Sequence, residues 1–150
     1  MSTTSTTPSK SVNAVTAKLV QTRRRMLMLP TYFPGTFMVA EGTIYSFLDR
    51  LSQDYQGGFW DFFELSNGGF YMAPKASATA LKTHFTISVP FGNGYEGELT
   101  CDAAGIVACI FAYTYLAETT GKDYYLDLYD NLRNFAYGHP EAAQILRAID

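Results

Sequence analysis

The segment Cys101–Glu118 constrains this chain more than any other, because apolar residues occupy nearly every side of the helix it predicts. A helix without a polar face belongs in the middle of a fold. Thr100 marks its start, since a hydroxyl there accepts from the free N–H groups of a first turn. Asp102 follows where the helix dipole favours an acid. In a chain of 150 residues, the length of one domain, the other elements must pack around this helix. Its longest unbroken apolar run, Ala103–Tyr113, ends at Thr114 and falls short of the roughly 20 residues of a membrane span. A core position is expected, not a membrane one.

The surrounding periodicities divide the chain into helices and strands. Residues 1–18 read as a disordered Ser/Thr-rich tail, and 19–150 as a single domain. Val12, Val15, Leu19 and Val20 share one face of a weak amphipathic helix that runs to about Met28 and stops at Pro30. Ile44, Phe47, Leu48 and Leu51 define a helix near 41–51. Aromatic runs on either side of Ser66-Asn67-Gly68-Gly69 predict a hairpin closed by a type I′ turn. Strands are expected at His84–Val89 and near Tyr95–Leu99. Tyr125, Leu128, Leu132 and Ala136 set a helix over 122–137 stopped by Gly138, and Pro140 opens a last helix to Ile149. The fold class is α+β: a two-layer sandwich of an antiparallel three- to four-stranded sheet with helices packed mainly on one face.

Charge narrows the partners. The net charge is −3, from 11 Lys and Arg against 14 Asp and Glu. Residues 1–40 carry five bases and no acid, so Arg23, Arg24 and Arg25 are candidate phosphate contacts. The remaining body carries −8, whereas a duplex spanning its expected diameter presents about 20 phosphates. Full electrostatic mimicry of DNA is excluded on that arithmetic. An apolar content of 47% with 15% aromatics excludes a wholly disordered chain. Cys101 and Cys109, eight residues apart, are separated by roughly 12 Å along a helix, too far for a disulfide between them, and read as core thiols of a reducing compartment.

No motif for catalysis stands out. Gly92-Asn93-Gly94-Tyr95-Glu96-Gly97 has the spacing G-x-G-x-x-G, but its third glycine precedes the helix cap by three residues, so a glycine-rich turn is the stronger reading. His84 and His139 have no nucleophile tied to them by motif, and G-x-S-x-G and H-E-x-x-H are both absent. Two cysteines without a histidine cluster make no zinc site, so neither metal nor cofactor is expected. Glu96 and Glu98 share one strand face and read as a solvated edge.

Several longer motifs occur in a consistent order: Leu51–Trp60 with Asp54-Tyr55 and Gly57-Gly58, Glu64–Pro74, Asn93–Gly97, Asp102–Val107, His139–Ala142 and Ala148–Asp150. From about Arg25 to Asp150 the chain resembles the antirestriction proteins of the ArdB/KlcA type found on plasmids and genomic islands. The resemblance implies a bacterial cytoplasmic protein, carried on mobile DNA, that relieves Type I restriction–modification. It implies no enzymatic activity, no cofactor and no small-molecule substrate. The implied partner is the Type I complex or an associated host factor, with weak non-specific DNA contact by the basic arm and no membrane.

Within that frame Asn93, Tyr95 and Glu96 are the first candidates for a contact surface, because such residues fill a core poorly. Trp60, Asn67 and Tyr71 in the hairpin and Asp150 complete the candidate partner-binding set, although hairpin geometry and sheet packing account for the first three as well. An interaction protein is the leading reading. A small nucleotide-binding or hydrolytic domain centred on Gly92–Glu98 is the alternative.

Overall fold

The computed structural model describes residues 14–76 and 83–150. In chain order they form β1 (Ala17–Leu19), a 3-10 turn (Thr22–Arg24), α1 (Arg25–Tyr32), α2 (Phe37–Leu51), β2 (Trp60–Leu65), β3 (Phe70–Pro74), β4 (His84–Ser88), β5 (Glu96–Thr100), α3 (Cys101–Thr120), α4 (Asp123–Ala136) and α5 (Ala142–Ile149). The α+β class holds. Helix α3 is the hub, in contact with α2, α4, α5, β3, β4 and β5.

Helix α3 starts where the sequence predicts, with the Thr100 hydroxyl accepting from the Ala103 N–H at 3.2 Å, and ends at Gly121 in the left-handed region (φ 69°). At 20 residues and a mean hydropathy of 1.3 it is long and apolar enough to cross a membrane by length and composition, against the expectation from its unbroken run. In the fold two thirds of it is buried as the core helix. Gly105 permits the closest approach: a Cβ there would overlap Ala73 and lie 2.6 Å from the Met72 carbonyl oxygen of β3. Tyr113 donates to the Phe70 carbonyl at 2.5 Å and the Cys109 thiol to the Met72 carbonyl at 3.5 Å. Both cysteines are buried thiols. On its other sides α3 receives Ile44 and Leu48 of α2, Leu128 and Leu132 of α4, and Ile145 of α5, all fully buried. Each such aliphatic side chain contributes about 1.5–3 kcal/mol on leaving water.

The strands differ from the single predicted sheet. They form an antiparallel sheet ordered β1-β2-β3 and a separate β4-β5 pair. Registers include Lys18 opposite Glu64, Phe63 opposite Tyr71, and Ile87 opposite Gly97. The outer edge of β4 is closed by a side chain rather than a strand, since the Thr86 N–H donates to Asp54 Oδ2 at 2.9 Å.

Three local expectations are corrected. Ala17–Leu19 is a strand on β2, not part of a helix, and lies in the sheet although residues 17 and 18 were expected in the tail; Val12 and the rest of 1–13 are outside the described residues. Pairing with the free edge of β2, reinforced by Thr16 N–H donating to Ser66 Oγ at 2.9 Å, outweighs a weak helical period. Pro30 does not stop α1 but sits inside it. The bond it removes is the one to the carbonyl of Met26, a residue at the surface where water can donate instead. The hairpin is where expected, but its turn is a three-residue loop. Gly68 N–H donates to the Leu65 carbonyl (3.0 Å), Leu65 N–H to the Gly69 carbonyl (2.9 Å), and Gly68 takes φ 91°. That is the type I turn with a glycine bulge rather than a type I′ turn.

Candidate interaction face

The loop between β4 and β5 turns polar side chains onto the end of α5. Asn93 Oδ1 accepts from the Tyr95 N–H at 2.9 Å, while its Nδ2 donates to the carbonyls of Arg147 (2.8 Å) and Ala148 (3.2 Å). Those carbonyls belong to the last turn of α5, which a helix leaves without internal donors, so Asn93 caps α5 from a distant loop. Tyr95 is buried and donates to Gln144 Oε1 at 3.2 Å; the Arg147 guanidinium lies 5.8 Å from its ring centre. Burial raises the Tyr95 phenol above its ordinary range, Arg147 opposing and Glu141 adding to the shift. A Cβ on Gly97 would come within 2.5 Å of the Tyr95 hydroxyl, so that glycine makes room for the ring.

Gly92 and Gly94 therefore serve a loop between antiparallel strands, and Gly97 lies in β5 beneath the Tyr95 ring. No helix N-terminus follows the third glycine directly, and the nucleotide-binding alternative is not supported.

Next to this loop, Phe91 is 46% exposed and packs on Phe111 with ring centres 5.8 Å apart. Arg50, at the end of α2, lies 4.8 Å from the Phe91 ring and 5.2 Å from that of Phe47. Beyond it opens a groove between α2 and α3 with Met38, Val39 and Tyr115 on its walls. Arg133 of α4 holds Asp150 through two bonds of 3.0 Å and donates to Tyr129 and Tyr137 at 3.2 Å each. The bond to Asp150 leads in raising Arg133 above its ordinary range, so this guanidinium stays charged. Asn93, Tyr95, Glu96, Arg147 and Asp150 line one depression.

The other candidate residues are not brought to this face. Trp60 is 3% and Tyr71 1% exposed, so both pack the core instead of presenting an anchor; the Trp60 indole N–H donates to the Tyr55 hydroxyl at 3.0 Å. Asn67 is exposed but engaged, donating to the Asn131 carbonyl at 2.9 Å and accepting from Gly69 N–H at 3.0 Å. Of the arginine run, Arg24 meets Glu64 at 3.2 Å, and Arg25 meets Asp61 at 3.7 Å and donates to the Trp60 carbonyl. Acids of β2 thus neutralise two of the three expected phosphate contacts; Arg23 stays exposed. Burial first and Glu64 second push the Tyr32 phenol, which donates to Glu64 at 2.7 Å, up to about 12.

One half-buried cluster was not foreseen. Asp102 accepts from the Tyr71 hydroxyl and from His139 Nε2, both at 2.7 Å, and His139 Nδ1 accepts from the Glu141 N–H at 2.9 Å. The Glu141 carboxylate accepts in turn from the Thr100 N–H (3.0 Å) and the Thr100 hydroxyl. Both imidazole nitrogens are occupied, which fixes the tautomer and leaves no lone pair for proton transfer. The cluster ties β3, the start of α3 and the α4–α5 junction together. Another depression, of about 590 Å³, lies between the 53–59 loop, Pro74, Lys75 and Cys101.

Residues 53–150 match the antirestriction protein family. The chain is 48% identical over 141 residues to the antirestriction protein KlcA of Escherichia coli, spanning 91% of this chain and 95% of that relative. The chain belongs to the antirestriction protein family. A second KlcA of Escherichia coli is 43% identical, with 91% and 94% covered. The uncharacterized protein YafX of Escherichia coli K12 is 35% identical, with 91% and 88% covered. A solved structure superposes with a TM-score of 0.80 at 47% identity, covering 91% of this chain and 95% of that one. It comes from work on KlcA and ArdB, described as having a novel fold and antirestriction activity against Type I DNA restriction systems in vivo but not in vitro.

For this antirestriction protein, the site-bearing elements from β2 to α5 all fall in the matched region, whereas Arg50 precedes it. Sequence reasoning missed Arg50, Phe91, Arg133 and Arg147. The available signal was Phe91, a large aromatic in a loop between Pro90 and Gly92 where packing does not call for one.

Proposed function

We propose that this antirestriction protein relieves Type I restriction of incoming DNA in the bacterial cytoplasm by protein contact, acting neither as an enzyme nor as a mimic of DNA. The carrying observation is where its carboxylates go. Glu41, Asp54, Asp61, Glu64, Asp102, Glu141 and Asp150, half of its acids, are bonded to groups of the same chain. Acids spent inside the fold cannot reproduce a duplex row of one phosphate charge per ~1.7 Å.

The contact is assigned to the face around Asn93, Glu96, Arg147 and Asp150, continuing over Phe91 and Arg50. Aromatic and arginine side chains at a partly apolar surface are the types that carry binding energy between proteins. The partner is the Type I complex or a host factor associated with it. Activity in vivo but not in vitro, as described for KlcA and ArdB, fits a contact that needs a component of the living cell. With Arg24 and Arg25 paired, Arg23 and Lys18 support only weak, non-specific contact with DNA.

The test is the plating efficiency of unmodified phage on a Type I-restricting host and on an isogenic host lacking the system, each with and without the protein. Relief confined to the restricting host, with modification retained, is expected. Equal plating with and without a folded, expressed protein would overturn the reading.

A further inference from the structure

The geometry points to the groove between α2 and α3 as the docking site for an acidic amphipathic helix of the protein partner. This inference rests on the reading that the chain acts by protein contact. Met38 (74% exposed) and Val39 (62%) stand at one end of the groove, and Tyr115 forms the opposite wall. Along α2, Met38, Gly42, Ser46 and Arg50 recur every four residues and so lie on one ridge. At ~1.5 Å per residue the ridge is about 18 Å long, the length of roughly three turns of a partner helix.

Gly42 argues for close approach. A Cβ there meets nothing within 4 Å, so the fold itself gains no room from a glycine, and a glycine weakens a helix interior relative to alanine. With exposed Ser46 one turn on, it leaves a low saddle into which a second helix can settle.

Arg50 supplies the charge. It is the one formal charge among the residues lining the groove, and no carboxylate pairs with it among the described residues. An arginine resting on two aromatic rings keeps its charge and presents a fork that suits a carboxylate. A groove otherwise uncharged that ends in a preset cation complements a helix with one apolar side and a Glu or Asp at the matching end. A nucleic acid would meet a single cation there. A second copy laid ridge to ridge would bring Met38 or Arg50, not a carboxylate, opposite Arg50.

Full-length Gly42→Leu, Arg50→Gln and Arg50→Glu are compared with the parent chain by phage plating and thermal unfolding. Leucine at 42 enters open space and favours the helix over glycine, so a Tm no lower than the parent's is expected while relief falls by about tenfold or more. Arg50→Glu should lose more relief than Arg50→Gln. In parallel, a synthetic helical peptide with a leucine face and one terminal glutamate is titrated into the purified parent chain. Amide shifts at Met38, Gly42 and Arg50 are expected, with about tenfold weaker binding when the glutamate is replaced by glutamine.

If the parent relieves restriction and folded Gly42→Leu does so equally, the groove assignment falls and the proposed function stands. If the parent gives no relief, the proposed function falls, and absence of peptide binding then removes the groove as well. Full relief by both Arg50 variants, with equal binding of the glutamine peptide, overturns the acidic partner. Dimerisation or DNA binding that is abolished by Gly42→Leu overturns it in favour of a second copy or a nucleic acid.

Discussion

Arg133 Nη1 and Nη2 donate to Oδ1 and Oδ2 of Asp150 over two equal distances of 3.0 Å, a parallel fork joining α4 to the residue that follows α5. Fork geometry is the strong form of an ion pair, but the Asp150 side chain is 55% exposed and water screens it. A double-mutant cycle with Arg133→Gln and Asp150→Asn, read by urea unfolding, should give a coupling of about 0.5–1 kcal/mol that shrinks in high salt. A coupling above about 2 kcal/mol would contradict this accounting.

Two helical glycines should respond to alanine with opposite sign. At Gly105 the new methyl collides with Ala73 and the Met72 carbonyl, and forcing α3 from β3 costs more than the about 1 kcal/mol gained in helix propensity. Gly105→Ala should lower stability by about 2 kcal/mol or more. At Gly42 the methyl meets open space, and Gly42→Ala should raise stability by about 0.5–1 kcal/mol. Urea midpoints of the two variants decide the matter; a shared sign would refute it.

Asn93 serves two helix-end carbonyls and one loop N–H at once. Asn93→Ala frees all three and should cost about 1 kcal/mol. Asn93→Asp keeps the acceptor for Tyr95 N–H but cannot donate, and it places negative charge at the negative end of α5. The aspartate variant should be no more stable than the alanine one by thermal unfolding, and a clear recovery would show that the cap does not act through its donor.

Stability should fall in alkali. Burial pushes the Cys109 thiol from an ordinary 9.0 up to about 12, and burial likewise raises the Tyr71 and Tyr113 phenols. The fold keeps these acids neutral. The unfolded chain releases the thiol proton from about pH 9 upward and the phenol protons from about pH 10, while the native chain retains them. The native state then holds more protons, so this stabilisation is complete below about pH 9 and is lost as pH climbs through the raised values. Urea midpoints at about pH 8 and about pH 11 should show the decline, and Cys109→Ala should flatten it. Equal midpoints at both pH values would count against buried neutral acids.

Sequence alone determined the elements whose signals are local. The all-round apolar character of α3 placed it at the centre, Thr100 set its start, and the spacing of Tyr125, Leu128 and Leu132 set α4, because helical periodicity and capping act over three or four residues. The hairpin was legible for the same reason, apart from its turn type. What tertiary structure decided depends on partners far along the chain. Strand β1 exists because β2 offers an edge to it, Trp60 is buried because Tyr45 of α2 and Tyr55 pack on it, Tyr71 because Phe135 of α4 stacks on its ring and Asp102 of α3 takes its hydroxyl, and Arg24 and Arg25 lose their freedom to Glu64 and Asp61. The contact face follows the same rule: Asn93 finds Arg147, and Arg50 finds Phe91, only when folding sets distant segments against each other. Such pairings are settled by competition among groups that no local pattern in the sequence connects.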